Sequence, residues 1–124
     1  MSFIKTQDEN PNFLLEVEKK YDQFAKAIAC QKEMYNLAKK KKAPKNFILE
    51  EVIDLAFKIG VAAYDFAGFQ KNFDKIEYFR HECVKLSKVG HQIAKMCFGQ
   101  QNALTKEWKE RNQEFENWCK TFSK

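Results

Sequence analysis

The sequence predicts an all-α protein, an antiparallel up-down four-helix bundle, and three observations carry that expectation. Only four Gly and two Pro interrupt 124 residues, and charged residues reach 31%, which suits long helices with solvated faces better than a turn-rich β fold. Apolar residues make up 44% of the chain and recur at steps of three and four through long segments, the signature of helices with one buried side. The polar or Gly/Pro-containing breaks between those segments are short. A chain of this length makes one compact domain, here read as an N-terminal arm over 1–12 and a bundle over 13–124.

The first helix is expected from about residue 13 to about residue 40, with Leu14, Val17, Tyr21, Phe24, Ile28, Tyr35 and Ala38 on one seam. The apolar pattern stops at Lys39-Lys40-Lys41-Lys42-Ala43-Pro44-Lys45-Asn46, where Pro44 disfavours helix at Ala43 and Asn46 can cap the next helix. The second helix begins near Phe47, with Ile48, Val52, Leu55, Ile59, Ala62, Phe66 and Phe69 as its main seam. Phe57, Val61 and Tyr64 add a second apolar stripe, so this helix has to be covered on both sides. Two readings account for that stripe: a subunit contact, or a central position in a less regular fold.

After a polar break at Gln70-Lys71-Asn72, the third helix carries Ile76, Phe79, Cys83, Leu86, Gly90, Ile93 and Cys97 at alternating steps of three and four. A repeat that strict favours near-aligned helices. Gly90 within it points to close approach of a neighbour, because glycine there costs about 1 kcal/mol of helix propensity relative to alanine. Gly99 ends the helix. Thr105 is the expected N-cap of the fourth, whose seam is Leu104, Trp108, Phe115, Trp118 and Phe122.

The N-terminal stretch has no apolar run long enough for a signal peptide, and no later stretch approaches the roughly 18 apolar residues of a membrane span, so a cytosolic protein is expected. The widely spaced Cys30, Cys83, Cys97 and Cys119 read as reduced thiols rather than a disulfide framework.

Catalytic signatures are lacking. His81, Cys83, His91 and Cys97 share the third helix, but Cys83 and Cys97 are about four turns apart and His81 lies about 200° round the axis from Cys83. They do not converge as zinc ligands must. There is no Glu-x-x-His pair, no phosphate-cradling glycine loop and no nucleophile elbow, while Glu50 and Asp54 read as a solvated acidic edge. No catalytic residue, metal or cofactor is expected.

The basic residues are better organised. The chain carries 22 Lys plus Arg against 17 Asp plus Glu, a formal charge of +5. Lys39, Lys40, Lys41, Lys42 and Lys45 crowd the first turn without an acid, either to attract phosphates or simply as cations at a helix C-terminus. On the third helix His81, Lys85, Lys88, Gln92 and Lys95 form a stripe opposite the seam, flanked by Lys75 and Arg80. Lysines so placed follow a phosphate backbone without reading bases.

Taken in order, the lysine-rich first turn with its proline, the apolar second helix ending in Ala67-Gly68, the Ile76-Glu77-Tyr78-Phe79-Arg80-His81 stretch running into Leu86, and Leu104-Thr105 opening a helix closed by Trp118 resemble a known family. It is the four-helix bundle family that includes the accessory variability determinant of diversity-generating retroelements and the proteins encoded in 23S rRNA intervening sequences. The resemblance implies a barrel-like homopentamer that binds RNA or DNA and docks on a reverse transcriptase to support mutagenic cDNA synthesis. In that picture Phe57, Val61 and Tyr64 lie in subunit contacts, and Lys85, Lys88 and Lys95 contact phosphates. Two alternatives stand beside it. One is a protein-only helical adaptor. The other is a small RNase of the HEPN kind, whose Arg and His on one helix are separated by four to six residues, whereas Arg80 and His81 here are adjacent and the next histidine is His91.

Overall fold

The computed structural model describes residues 11–122. Every element among them is helical. α1 spans Pro11–Lys40, α2 runs over 45–69, α3 spans Phe73–Phe98 and α4 spans Ala103–Phe122. The arm expected over 1–12 falls outside the described residues up to residue 10. Pro11 and Asn12 already belong to α1, since proline is well tolerated where the first-turn N–H has no helical partner.

The connections follow from local chemistry. At the end of α1, Ala43 N–H donates to Ala38 O at 2.9 Å and Lys42 N–H to Lys39 O at 3.1 Å, with Lys42 in the left-handed region at φ 58°. This paired bonding satisfies carbonyls that the helix end leaves open. The end of α2 repeats it: Asn72 N–H reaches Ala67 O and Lys71 N–H reaches Gly68 O, both at 3.1 Å, with Lys71 at φ 55°. Asn72 then caps α3 through its side chain, accepting from Lys75 N–H at 3.2 Å. Gly99 closes α3 at φ 83°. The cap of α4 is Asn102, whose Oδ1 accepts from Leu104 N–H at 2.8 Å, so Thr105 is a first-turn residue and not the expected N-cap. Asn46 makes no cap either, because α2 starts one residue earlier, at Lys45.

Within α2 the Ile48–Ile53 stretch is a π-helix. Its wider turn brings the adjacent pairs Ile48/Leu49 and Val52/Ile53 inward together, and all four are buried. Beyond it the buried line is Ala56, Gly60, Ala63 and Ala67. Leu55, Ala62 and Phe69, expected on the main seam, face outward, with Phe69 88% exposed. Small side chains line the inner face because α3 runs close by. A Cβ on Gly60 would meet Cys83 Sγ at 3.0 Å.

The α2/α3 pair forms the middle of the fold. α1 packs along α2 and meets α3 through rings, with Tyr21 5.2 Å from Phe66 and 6.3 Å from Phe79 between centroids. α4 packs along α3 and reaches α2 through a second aromatic cluster, while no Cα of α1 lies within 8 Å of one in α4 among the described residues. This arrangement settles what covers the second apolar stripe of α2. Phe57 is 6% exposed, and its ring meets Trp108 at 5.6 Å and Phe115 at 5.8 Å. Tyr64 stacks on Trp118 at 5.7 Å and 10°, and Val61 is partly buried against the same core. The inference that this stripe needs a second subunit is therefore corrected: α4 of the same chain covers it, because α2 holds a central position.

The seam read on α3 is the one observed. Phe79, Cys83, Leu86, Gly90 and Ile93 are buried, with Ile76 and Cys97 partly so. A polar strut fixes α4 against it. Asn112 Nδ2 donates to Val84 O and to Ser87 Oγ, both at 3.1 Å, and Ser87 Oγ donates to Cys83 O at 2.7 Å. No helix among the described residues is long and apolar enough to cross a membrane.

Candidate nucleic-acid interface

The outward face of α3 is basic because its inward faces are fully used by α2 and α4. Lys85, Lys88 and Lys95 are all exposed, as is Gln92 between them. The fold brings the lysines of the first turn to this face. Lys39 and Lys45 share a recess of about 200 Å³ with Gln92 and Met96 of α3, over Tyr35, Ile48, Val89 and Ile93. Lys39 Nζ lies 4.8 Å from the Tyr35 ring centroid, within range of cation–π attraction. Lys40, Lys41 and Lys42 are exposed on the turn itself.

A second recess, of about 240 Å³, continues the same side between α1 and α3. Lys32, Asn36 and Lys85 line it above an apolar floor of Ile53, Ala56 and Leu86. Lys32 is a cation that the sequence reading omits. Its signal is its position: it fills the vacant place between Ile28 and Tyr35 on the α1 seam, where a lysine has to aim its ammonium at something other than the core.

That something is Glu82, an acid beneath the α3 stripe and off its line. Glu82 is buried. Its carboxylate pairs with Lys32 and lies 3.6 Å from Lys85 Nζ, so two ammonium groups compensate one buried charge and the local balance stays positive. Neither recess has a carboxylate in its lining.

Two residues of the expected basic face lie elsewhere. Arg80 is only 5% exposed, because it falls on the side of α3 enclosed by the packed helices, and it is not part of the accessible surface. The RNase alternative, which needs Arg80 in reach of substrate, loses that group. His81 is exposed but turns toward α4, with Nδ1 3.8 Å from Cys119 Sγ.

Between α2 and α4, acids are paired with cations. Asp54, expected on a solvated edge, binds Arg111 Nη1 at 3.0 Å and Lys58 Nζ at 2.8 Å, while Arg111 Nη2 also meets Glu107 at 2.7 Å. Arg111 lies 4.5 Å from the Trp108 ring and 5.2 Å from that of Phe57. Among the described residues no group of three His, Cys, Asp or Glu side chains is placed to hold a metal ion.

These features define a helical protein with one basic, acid-poor face. No protein-family model, curated protein or solved structure matches the chain, so the resemblance to the retroelement accessory family rests on the sequence pattern.

Proposed function

We propose that this chain is a non-catalytic protein that binds a nucleic acid through its phosphate backbone, acting in the cytosol as an accessory to a polymerising enzyme. One observation carries the reading: the lysine-rich first turn and the α3 lysine stripe, distant in sequence, adjoin at the recess holding Lys39, Lys45 and Gln92. A continuous basic track is what a phosphate backbone requires, and a lysine run serving only as a solvated helix end has no reason to meet a second one.

The resemblance extends this proposal to an antiparallel up-down bundle that assembles as a homopentamer and assists a reverse transcriptase in mutagenic retrohoming of a diversity-generating retroelement. The ring contacts support the antiparallel part. Tyr21, early in α1, meets Phe66, late in α2, whereas Phe57 to Tyr64 and Trp108 to Trp118 advance together along α2 and α4. Because α4 covers Phe57, assembly would have to use another surface.

The test is fluorescence anisotropy with short single-stranded RNA and DNA over a salt series, comparing the native chain with Lys39→Glu/Lys85→Glu/Lys88→Glu. Affinity is expected to fall at least about ten-fold, with a shallower dependence on salt as fewer counterions are released. Unchanged affinity and slope would overturn the reading. The adaptor alternative has one observation of its own, the outward Leu55, Phe69 and Phe73, of which Phe73 is 78% exposed. It gains the lead if the native chain shows no salt-dependent binding.

A further inference from the structure

On the other flank of α3, where α3 gives way to α4, lies a recess of about 300 Å³ that shares Lys95 with the α3 stripe but includes none of the first-turn lysines. Lys95 and His91 approach it from α3, and Lys106 and Lys109 from the first turns of α4. Gln100 and Gln101 of the connection complete the rim, and no carboxylate and no Phe, Tyr or Trp lines it. Three lysines thus line a recess at the positive end of a 20-residue helix.

The decisive feature is Thr105. The residue is only 2% exposed, it lines this recess, and its Oγ1 has no hydrogen-bond partner. A buried hydroxyl without a partner costs about 1–3 kcal/mol, and threonine in a helix ordinarily turns that hydroxyl onto a carbonyl one turn back. Here Asn102 already provides the cap, so the hydroxyl serves no capping purpose.

We propose that this recess is a phosphate-binding site, in which Lys95, Lys106 and Lys109 neutralise a multiply charged phosphate group and the Thr105 hydroxyl, enclosed in the free protein, turns about χ1 to donate a hydrogen bond to one of its oxygens. The lining favours phosphate over base, since it offers cations, amides and a hydroxyl but no stacking surface. The surrounding field agrees. His91 has its pKa lowered, first by burial and then by the charges of Lys95 and Lys109. The phosphate has two possible sources, a nucleic-acid end or a free phosphate compound. The first alone rests on the nucleic-acid reading; the site itself does not.

Isothermal titration with inorganic pyrophosphate tests the site directly. Saturable binding is expected, lost in Lys106→Gln/Lys109→Gln, weakened about ten-fold in Thr105→Val and kept in Thr105→Ser, the loss expected for one hydrogen bond to a charged ligand. Thr105→Val should also melt no lower than the native protein, because it removes an unpartnered buried hydroxyl. A variant that melts normally and binds pyrophosphate as well as the native chain overturns the proposal, as does the absence of saturable binding. Lys39→Glu/Lys85→Glu/Lys88→Glu should keep pyrophosphate affinity, so failure of the nucleic-acid reading and failure of this site give different results. Displacement of pyrophosphate by a 5′-phosphorylated oligonucleotide but not by its 5′-hydroxyl form assigns the phosphate to a nucleic-acid end. Displacement by neither assigns it to a free compound.

Discussion

Gly90 of α3 lies directly beneath the indole of Trp108 in α4: a Cβ built on Gly90 would stand 2.3 Å from Cε3 and 2.5 Å from Cζ3. No neighbour can absorb that overlap by a small adjustment, because Trp108 is itself fully buried and its ring meets Phe57 at 5.6 Å. The glycine therefore sets the separation of α3 and α4, and through the indole it fixes how closely α4 covers α2.

Gly90→Ala is expected to destabilise the protein by about 2 kcal/mol or more, since the overpacking cost exceeds the roughly 1 kcal/mol gained in helix propensity. Gly68→Ala is the control. Nothing lies within 4 Å of its added Cβ, so it should leave stability unchanged or raise it by about 0.5–1 kcal/mol. Urea denaturation of the two variants beside the native chain measures both. Equal effects at the two positions would show that the Trp108 contact is not limiting.

Lys42 separates stability from binding in a single substitution. Its left-handed φ of 58° costs about 1–2 kcal/mol for a residue with a Cβ. Lys42→Gly is expected to relieve about 1 kcal/mol of that in thermal or urea denaturation. The same change removes one cation of the first turn, so oligonucleotide affinity should fall modestly while the midpoint rises. Opposite signs in two measurements on one variant are hard to produce by general misfolding.

Burial pushes the Cys83 thiol up to about 12, with Glu82 and Asp65 adding to the rise, whereas Cys30 is exposed. At pH 8, alkylation followed by mass spectrometry should label Cys30 within minutes and leave Cys83 protected until denaturant is added. A raised thiol pKa also contributes stability that is fully present below the ordinary value of 9.0 and is lost as pH rises from there toward about 12. The denaturation midpoint should consequently decline across that alkaline window, and Cys83→Ser should reduce the decline.

Helix-scale features of this fold are legible in the sequence, and the vacant places in its seams are informative once the structure is seen. The α1 seam skips residue 32 and the α4 seam skips residue 111. Each gap holds a cation that crosses to a carboxylate on another helix, Lys32 to Glu82 and Arg111 to Asp54. A gap signals that a long basic side chain lies at the edge of the core, but it does not say which acid receives it.

The sequence by itself determined the helical class, the α3 seam, the close approach at Gly90 and the lysine-rich first turn, because each depends on spacing along one helix or on residue type. Tertiary structure decided which face of α2 is inner. Apolar periodicity weights Leu55 and Phe69 above Ala56, Gly60, Ala63 and Ala67, while close packing against α3 selects the small side chains and leaves the large ones outside. It decided equally that Phe57 is covered by α4, that Arg80 is enclosed, that Glu82 underlies the basic stripe, and that Lys39 and Lys45 reach Gln92. A helical pattern states which residues share a side, but which helix lies against that side depends on the packing of all four together.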